Sequence, residues 1–371
     1  MPSKMNREDK PKLWKDHVDR ASLERFARSL AQVYPTFNTS GFVAACIGDQ
    51  FDHLELKARL ASLGRRLRDF LPDDYTQAVD ILIAAAPHAN GFENWILTSY
   101  VEQFGLDHLQ DSVRAMKELT KHGSAEFCVR PFIIKHEPEM LRVLAGWASD
   151  SNEHVRRLAA EGSRPRGVWT LHIDSFKKNP APVLAILEKL KADPSFYVRK
   201  AVANNLNDIS KDHPKQVLKT ALVWNKTGRP ETNWIIKHAC RSLIKKGYPE
   251  VFGLLGFSYP PKLELAKLSV APATVRIGQS AAIKFELKSR AKSAQKLAID
   301  YRITYATGKP RVSSRVFKLA EKSLKPGERL VISSKHPFRE TSGRKHSPGK
   351  HGLEIIVNGQ VLGRRQVSLT R

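Results

Sequence analysis

The sequence predicts a multidomain protein that is α-helical over residues 1–257 and β-stranded over residues 258–371. The architectures we predict are an α-solenoid of paired helical repeats followed by a β-sandwich. Apolar residues recur at helical spacing up to about residue 257, and a motif within this region repeats. Strict apolar–polar alternation then begins after Tyr259-Pro260-Pro261. A length of 371 residues suits two domains that each bury a core.

Apolar stripes separated by helix breakers make up the first region. Leu60, Leu63 and Leu67 are spaced to lie on one helix face, and Val183 and Leu187 show the same spacing. Prolines and glycines fall between these stripes. The intervals predict helices of about 10–18 residues, joined by short turns.

An internal repeat lies within the helical region. Residues 150–159 resemble residues 193–202, which places Val198 43 positions after Val155. A weaker copy begins at Ile236, 38 positions after Val198. A period near 40 with paired helices is typical of HEAT-like repeats, where each pair buries its apolar face by stacking on the next. A generic helical bundle is the alternative interpretation.

The alternation after residue 258 predicts about seven short strands. Asn358-Gly359 is a strong hairpin signal, because type I′ turns favour these two residues. Short strands at this density suggest an immunoglobulin-like sandwich. The segment contains no cysteine, so we expect no inter-sheet disulfide. The predicted strands cover residues 263–270, 283–287, 297–305, 312–319, 329–335, 353–357 and 360–369.

The charge of the chain is unevenly distributed. The formal net charge is +25, and residues 258–371 hold 24 basic and 7 acidic residues, or +17 of that total. Such an excess excludes an acidic solvating tail and indicates a polyanionic partner, most simply nucleic acid. A solubility device or a surface adapted to ribosomes is the alternative.

Neither a membrane segment nor a metal site is apparent. The longest apolar run is far shorter than the ~20 residues of a spanning helix, and no signal peptide is recognisable. Cys46, Cys128 and Cys240 are odd in number and widely spaced, so we expect neither disulfides nor zinc. We predict no metal, no cofactor and a cytoplasmic location.

Residues 161–169, EGSRPRGVW, form the most distinctive segment. Gly162 suits a left-handed helix C-cap, and Pro165 suits the first turn of the next helix. Arg164 and Arg166 would then lie beside free backbone N–H groups, a good phosphate site. The alternative is an inter-helix turn with two solvated arginines.

The same segment pairs Trp169 with Glu161. An indole face and a neighbouring carboxylate would both stabilise a cation, although a core tryptophan is the alternative. Glu126 and Asp208 are weaker candidates for further carboxylates of this site. Glu126 could instead be a surface partner of Arg130 one helical turn later.

The chain resembles the AlkC family of bacterial DNA glycosylases. The resemblance is carried by residues 161–169, residues 124–132 and the internal repeat at residues 150–159 and 193–202. Members of the family are HEAT-like-repeat proteins related to the AlkD family, and some carry a C-terminal Ig-like domain that would match residues 260–371. The resemblance implies monofunctional excision of cationic alkylated bases, N3-methyladenine and N3-methylcytosine, leaving an abasic site. It also implies double-stranded DNA containing such bases as the partner of a monomeric enzyme.

The resemblance assigns the chemistry to Glu126, Glu161, Asp208 and Trp169. A base that carries a formal charge leaves readily, so carboxylates that stabilise cationic charge and position water suffice. We expect Glu161 to orient the water with assistance from Asp208, and Glu126 to contact the lesion.

Basic residues in both domains are candidate DNA contacts. The loop at residues 339–351 could complete a clamp around the DNA, or could be a solvated loop. A non-catalytic HEAT-repeat adaptor that binds nucleic acid is the competing function. The predicted phosphate contacts are Arg130, Arg157, Arg164, Arg166 and Arg199 in the helical region, and Arg344, Lys345 and Lys350 in the loop.

Overall fold

The computed structural model describes residues 13–48, 51–306, 313–341, 343 and 345–371. Over these residues the chain forms sixteen α-helices followed by eight β-strands. It divides into two compact units, one of residues 1–213 and 229–239 and the other of residues 214–228 and 240–371. Helices followed by strands confirm the predicted fold class.

The helices are short and are separated by turns, as the breakers predict. In the described residues, no helix has both the length and the apolar character needed to cross a membrane. The helices are α1 (Arg20–Val33), α2 (Thr39–Cys46), α3 (Leu56–Leu67), α4 (Tyr75–Ala85), α5 (Asn94–Phe104), α6 (Leu109–Leu119), α7 (Val129–Lys135), α8 (Glu137–Trp147), α9 (Glu153–Gly162), α10 (Asp174–Lys178), α11 (Ala181–Lys189), α12 (Phe196–Ile209), α13 (Pro214–Asn225), α14 (Pro230–Ala239), α15 (Arg241–Lys246) and α16 (Pro249–Leu254).

The internal repeat appears in the first unit as stacked helices. Helices α9 and α12 begin 43 residues apart and pack side by side, and α14 packs on the other side of α12. Helices α8 and α11 pack behind α9, so the helices form two layers. Val155 and Val198 occupy equivalent positions and are fully buried. The repeat therefore marks successive helices of one stacked layer.

The arginine of each repeat holds the turn before its own helix. Arg156 Nη1 donates to the carbonyl oxygens six and five residues earlier, at 3.0 and 2.8 Å. Arg199 Nη1 makes the same two bonds at 2.8 and 2.7 Å. Arg156 also pairs with Asp193 in the following repeat, Nε to Oδ2 at 2.7 Å. Arg199, a predicted phosphate contact, uses its Nη1 for these two bonds.

The eight strands form two sheets within the second unit. A three-stranded sheet has the order β1-β3-β6, and a five-stranded sheet has the order β2-β8-β7-β4-β5. All neighbours are antiparallel except the pair β2 and β8. The strands are β1 (Leu263–Ala271), β2 (Thr274–Arg276), β3 (Ser280–Ser289), β4 (Gln295–Tyr305), β5 (Ser313–Leu324), β6 (Arg329–Pro337), β7 (Gly349–Val357) and β8 (Gln360–Thr370).

The predicted hairpin between β7 and β8 is confirmed. Asn358 and Gly359 have φ angles of +43° and +79°, the left-handed pair that a type I′ turn requires. The Asn358 side chain also accepts from the backbone N–H of Ala298 at 2.7 Å and donates to the carbonyl of Ser258 at 2.5 Å. This turn therefore ties the β7–β8 hairpin to strand β4 and to the segment before β1.

The outer face of β4 is more buried than the alternation predicts. Asp300 occupies a polar position of the alternation in the strand predicted at residues 297–305, where a solvated side chain is expected, but it is only 6% exposed. Burial raises its pKa to about 6, against the opposing effect of the Lys245 and Lys318 ammonium groups. Lys245, on helix α15 of the same unit, is thus close enough to act on the Asp300 carboxylate.

Candidate active site

Three carboxylates come together at the ends of neighbouring helical elements. Glu126 lies in the turn before α7, Glu161 in the last turn of α9 and Asp208 in the last turn of α12. Arg164 joins two of them, with Nη1 2.5 Å from Glu161 Oε1 and Nη2 2.7 Å from Asp208 Oδ2. Because α9 and α12 stack side by side, one arginine just beyond α9 reaches both helices.

Arg157 extends this contact to the third carboxylate. Its Nη2 lies 2.6 Å from Glu126 Oε2 and 3.7 Å from Glu161 Oε2. The resulting sequence, Glu126–Arg157–Glu161–Arg164–Asp208, alternates in charge, and we call it the acid–arginine chain. It fixes carboxylates from three separate segments at defined positions.

The acid–arginine chain is largely shielded from solvent. The side chains of Glu161, Arg164 and Asp208 are 11%, 9% and 3% exposed. Burial opposes the charge on Arg164, but the carboxylates of Glu161 and Asp208 outweigh it and raise its pKa. Arg157 behaves likewise: burial lowers its pKa, but the carboxylates of Glu126 and Glu161 outweigh this effect, so the pKa is raised overall. Both guanidinium groups therefore stay charged beside carboxylates that they orient.

These pairings change the roles predicted for two arginines. Arg157 and Arg164 were expected to contact phosphates, but both are paired with partly buried carboxylates. The alternative of a turn with solvated arginines is also wrong for Arg164. Arg166 does lie nearer the surface, where it pairs with Asp212, Nη2 to Oδ1 at 2.7 Å and with side chains 29% and 28% exposed.

Arg130 is a structural cation and is only 1% exposed. Its Nε donates to the carbonyl of Leu171 at 2.6 Å, and its Nη1 donates to the carbonyl of Gly162 at 3.0 Å. Burial, followed by the nearby charge of Arg164, lowers its pKa to about 10. The predictions of a phosphate contact and of a surface pair with Glu126 are therefore wrong for Arg130. It connects the end of α9 to the loop at residues 163–173.

That loop differs from the predicted cap. Gly162 is still helical, and a Cβ there would lie 2.6 Å from Val129 Cγ1, so the glycine permits close packing of α7 on α9. Pro165 precedes a bridge between Arg166 and His172, and the next helix begins only at Asp174. The predictions of a left-handed cap at Gly162 and of a helical position for Pro165 are thus both wrong, because the chain forms a closed loop between the two helices.

Trp169 lies at the tip of this loop and is 62% exposed. The core-tryptophan alternative is therefore wrong. Its φ of +57° is left-handed, an outlier for a bulky residue. Its ring meets that of Trp14 edge-on, with centroids 6.5 Å apart. Strain of this kind is typical of functional sites.

Sequence reasoning missed Tyr197 and Ser124. The Arg157 guanidinium lies over the Tyr197 ring, 5.0 Å from its centroid, and donates to Ser124 Oγ at 2.5 Å. A signal was present, because the 43-residue repeat aligns His154 with Tyr197, and these two rings are in contact at 5.7 Å. These neighbours fix the guanidinium that holds Glu126 and Glu161.

The basic loop of the second unit is described in part. Lys345 and Lys350 are exposed, and Lys345 Nζ lies 3.7 Å from Glu340. Arg344 lies outside the described residues. Among the residues that are described, no three His, Cys, Asp or Glu side chains are arranged to hold a metal ion. The three cysteines are buried and free.

Comparisons with known proteins agree with this architecture. Residues 103–243 match the family model of the DNA alkylation repair enzymes, and residues 264–371 match the YhaZ C-terminal Ig-like domain. YhaZ of Bacillus subtilis (strain 168), described as uncharacterized, is 40% identical over 88% of this chain and 91% of its own. The structure of the alkylpurine DNA glycosylase AlkC of Pseudomonas fluorescens, bound to DNA containing an abasic site analog, is 38% identical. It superposes with a TM-score of 0.92 over 96% of this chain and 99% of its own.

The acid–arginine chain lies within the region matched by the repair-enzyme model, and the strands, except for Leu263 at the start of β1, lie within the region matched by the Ig-like model. Both regions are covered by single relatives above 30% identity. The chain therefore belongs to the AlkC family of DNA alkylation repair glycosylases and ends in the C-terminal Ig-like domain.

Proposed function

We propose that the protein is a monofunctional DNA glycosylase. It hydrolyses the N-glycosidic bond of cationic alkylated bases, N3-methyladenine and N3-methylcytosine, and leaves an abasic site. The acid–arginine chain is the observation that carries this proposal, because it holds three carboxylates from separate segments in one place. The resemblance to an alkylpurine DNA glycosylase bound to DNA supports it.

The residues suit this reaction. The lesion already carries a positive charge, so the C1′–N bond breaks with its electron pair moving to the base, which leaves as a neutral molecule. The sugar develops oxocarbenium-like charge, as in glycoside hydrolysis. Water then bonds to C1′ and releases one proton. Oriented carboxylates stabilise the developing cation, and no strong general acid is needed to protonate the base.

We assign to Glu161, at the centre of the acid–arginine chain, the role of orienting the water, with assistance from Asp208. Glu126 contacts the lesion, and Trp169 presents its exposed indole face to the cationic base. Arg157 and Arg164 are positioning residues, because they act through the carboxylates that they hold.

We propose that double-stranded DNA binds to a monomer, with the partly exposed Arg166, the loop residues Arg344 and Lys345, and Lys350 at the start of β7 as phosphate contacts. The double variant Lys345→Ala/Lys350→Ala tests the loop. Loss of two phosphate contacts should make the slope of log affinity against log salt shallower by about 2. The control is Lys322→Ala/Lys325→Ala, which removes the same positive charge from a different part of the second unit. An unchanged slope in the first variant would show that Lys345 and Lys350 do not contact phosphate.

A base-release assay tests the proposed activity. The protein should release methylated base from duplex DNA containing N3-methyladenine, and a piperidine-sensitive abasic site should appear at the same rate. A duplex containing only normal bases is the control. DNA binding without release of any base would instead identify a non-catalytic adaptor.

A further inference from the structure

A pocket of about 530 Å³ opens beside Trp169, and none of the residues that line it belongs to the acid–arginine chain. Its apolar lining consists of Leu13, Trp14, Leu56 and Trp169. Trp14 and Trp169 are 58% and 62% exposed, although tryptophan usually buries most of its surface. The volume is within the range of small-molecule sites, which are mostly apolar.

Packing from behind holds Trp14 in place. Its ring lies 5.3 Å from that of Phe92, which lies 5.0 Å from Trp95, which in turn lies 5.5 Å from Phe127. Phe127 adjoins the carboxylate residue Glu126 in sequence. A continuous series of rings therefore connects the pocket to the site. Trp14 is placed by this series, while its outer surface stays open.

The charges around the pocket disfavour a cation. Glu55 at the rim is neutralised by Lys15, with Nζ and Oε1 2.7 Å apart. Lys57 adds a second ammonium group, which lies 4.8 Å from the centroid of the Phe127 ring. The rim thus has two lysines and one carboxylate. A neutral planar molecule suits such a pocket better than a cation does.

The proposed reaction changes the charge of its base. Before cleavage the alkylated base is a cation and is attracted to the carboxylates of the acid–arginine chain. After cleavage the electron pair of the broken bond has neutralised the base, so this attraction is lost. An apolar surface with aromatic faces then becomes its better environment, since stacking needs no charge.

We infer that the pocket between Trp14 and Trp169 binds the released, neutral purine base and so gives it a path away from the carboxylates. This inference rests on the proposed glycosylase function. It makes Trp14 a binding residue for the product.

The test measures binding of free 3-methyladenine to the full chain by isothermal titration calorimetry at neutral pH. Trp14→Ala should weaken the affinity about tenfold, because stacking on one aromatic side chain contributes on that scale. Trp14→Phe should remain within about threefold of the original protein. Leu222→Ala, which also truncates an exposed apolar residue, should bind the base unchanged.

A permanently cationic dimethyladeninium is the second probe. Its binding should depend on Trp14 less than that of the neutral base. Equal affinity of the original protein and Trp14→Ala for 3-methyladenine would overturn the inference, and so would a stronger Trp14 dependence for the cation. These titrations need no catalysis, so a failure to release base from methylated duplex would count against the proposed function alone. Circular dichroism melting of each variant checks that it is folded.

Discussion

Arg164 and Asp208 lie 44 residues apart and form a buried ion pair, in which Nε and Nη2 both approach Oδ2 at 2.7 Å. The same guanidinium holds Glu161 at 2.5 Å. A cation of the segment after α9 thus fixes a carboxylate of α9 and one of α12. The geometry of the site depends on the stacking of these two repeats.

Replacing Arg164 should destabilise the protein and impair the site. Arg164→Met keeps much of the side-chain volume but leaves Glu161 and Asp208 without their shared cation. Breaking a buried pair from one side costs about 3–5 kcal/mol, so the urea midpoint of the helical circular dichroism signal should fall clearly. Arg166→Met removes a more exposed pair and should cost at most about 1 kcal/mol. Equal midpoints for both variants would contradict this.

Arg130→Lys tests the anchoring of the loop that carries Trp169. Lysine keeps the charge but cannot donate to the carbonyls of Leu171 and Gly162 in the fixed fork geometry of arginine. Amide hydrogen exchange at residues 166–172 should therefore accelerate, and the rate of base release should fall. The surface variant Arg142→Lys is the control. If the amides of residues 166–172 exchanged as slowly in Arg130→Lys as in the original protein, Arg130 would not be what holds the loop.

Tyr197 should act through Arg157. Tyr197→Phe keeps the aromatic face under the guanidinium and should release base at nearly the original rate. Tyr197→Ala removes that face, so Arg157 and the carboxylates it holds should lose their fixed positions. We expect kcat to fall about tenfold with little change in KM. If Tyr197→Phe lost as much activity as Tyr197→Ala, the hydroxyl and not the ring would be the important group.

Asp300 makes stability depend on pH. Its pKa in the folded protein is about 6, above the ordinary 3.8. The free energy of unfolding is therefore highest below about pH 4, where Asp300 is protonated in both states, and it falls as the pH rises through 6. Asp300→Asn should raise the free energy of unfolding of the second unit above pH 6, by up to about 3 kcal/mol. The difference should vanish below pH 4. A constant difference at all pH values in chemical denaturation would contradict the assignment.

Much of the fold could be predicted from the sequence, because periodicity records which face of an element is buried. Val155 and Val198 identified two equivalent helices, and Asn358-Gly359 identified a hairpin. Strand β2 was missed because three residues are too few to show alternation. The burial of Asp300 was missed because strict alternation places a charged residue on the solvent face of a strand, whereas Asp300 is only 6% exposed.

The candidate site was predicted less completely. The types of residue indicated a cation site, and the structure brings Glu126, Glu161 and Asp208 together. The long-range partners of the arginines were not predictable, because Arg157 reaches Glu126 and Arg164 reaches Asp208, each across at least 30 residues of sequence. Arg130 and Arg164 looked like phosphate contacts because a sequence does not show which cations are buried.

Glu161 is the carboxylate on which the proposed base excision depends most. The decisive measurement is single-turnover release of 3-methyladenine from duplex DNA, compared between the original protein and Glu161→Gln. We predict a loss of at least about 100-fold in rate with DNA affinity retained, while the surface control Glu118→Gln keeps the original rate. Release by folded Glu161→Gln at the original rate would contradict the account.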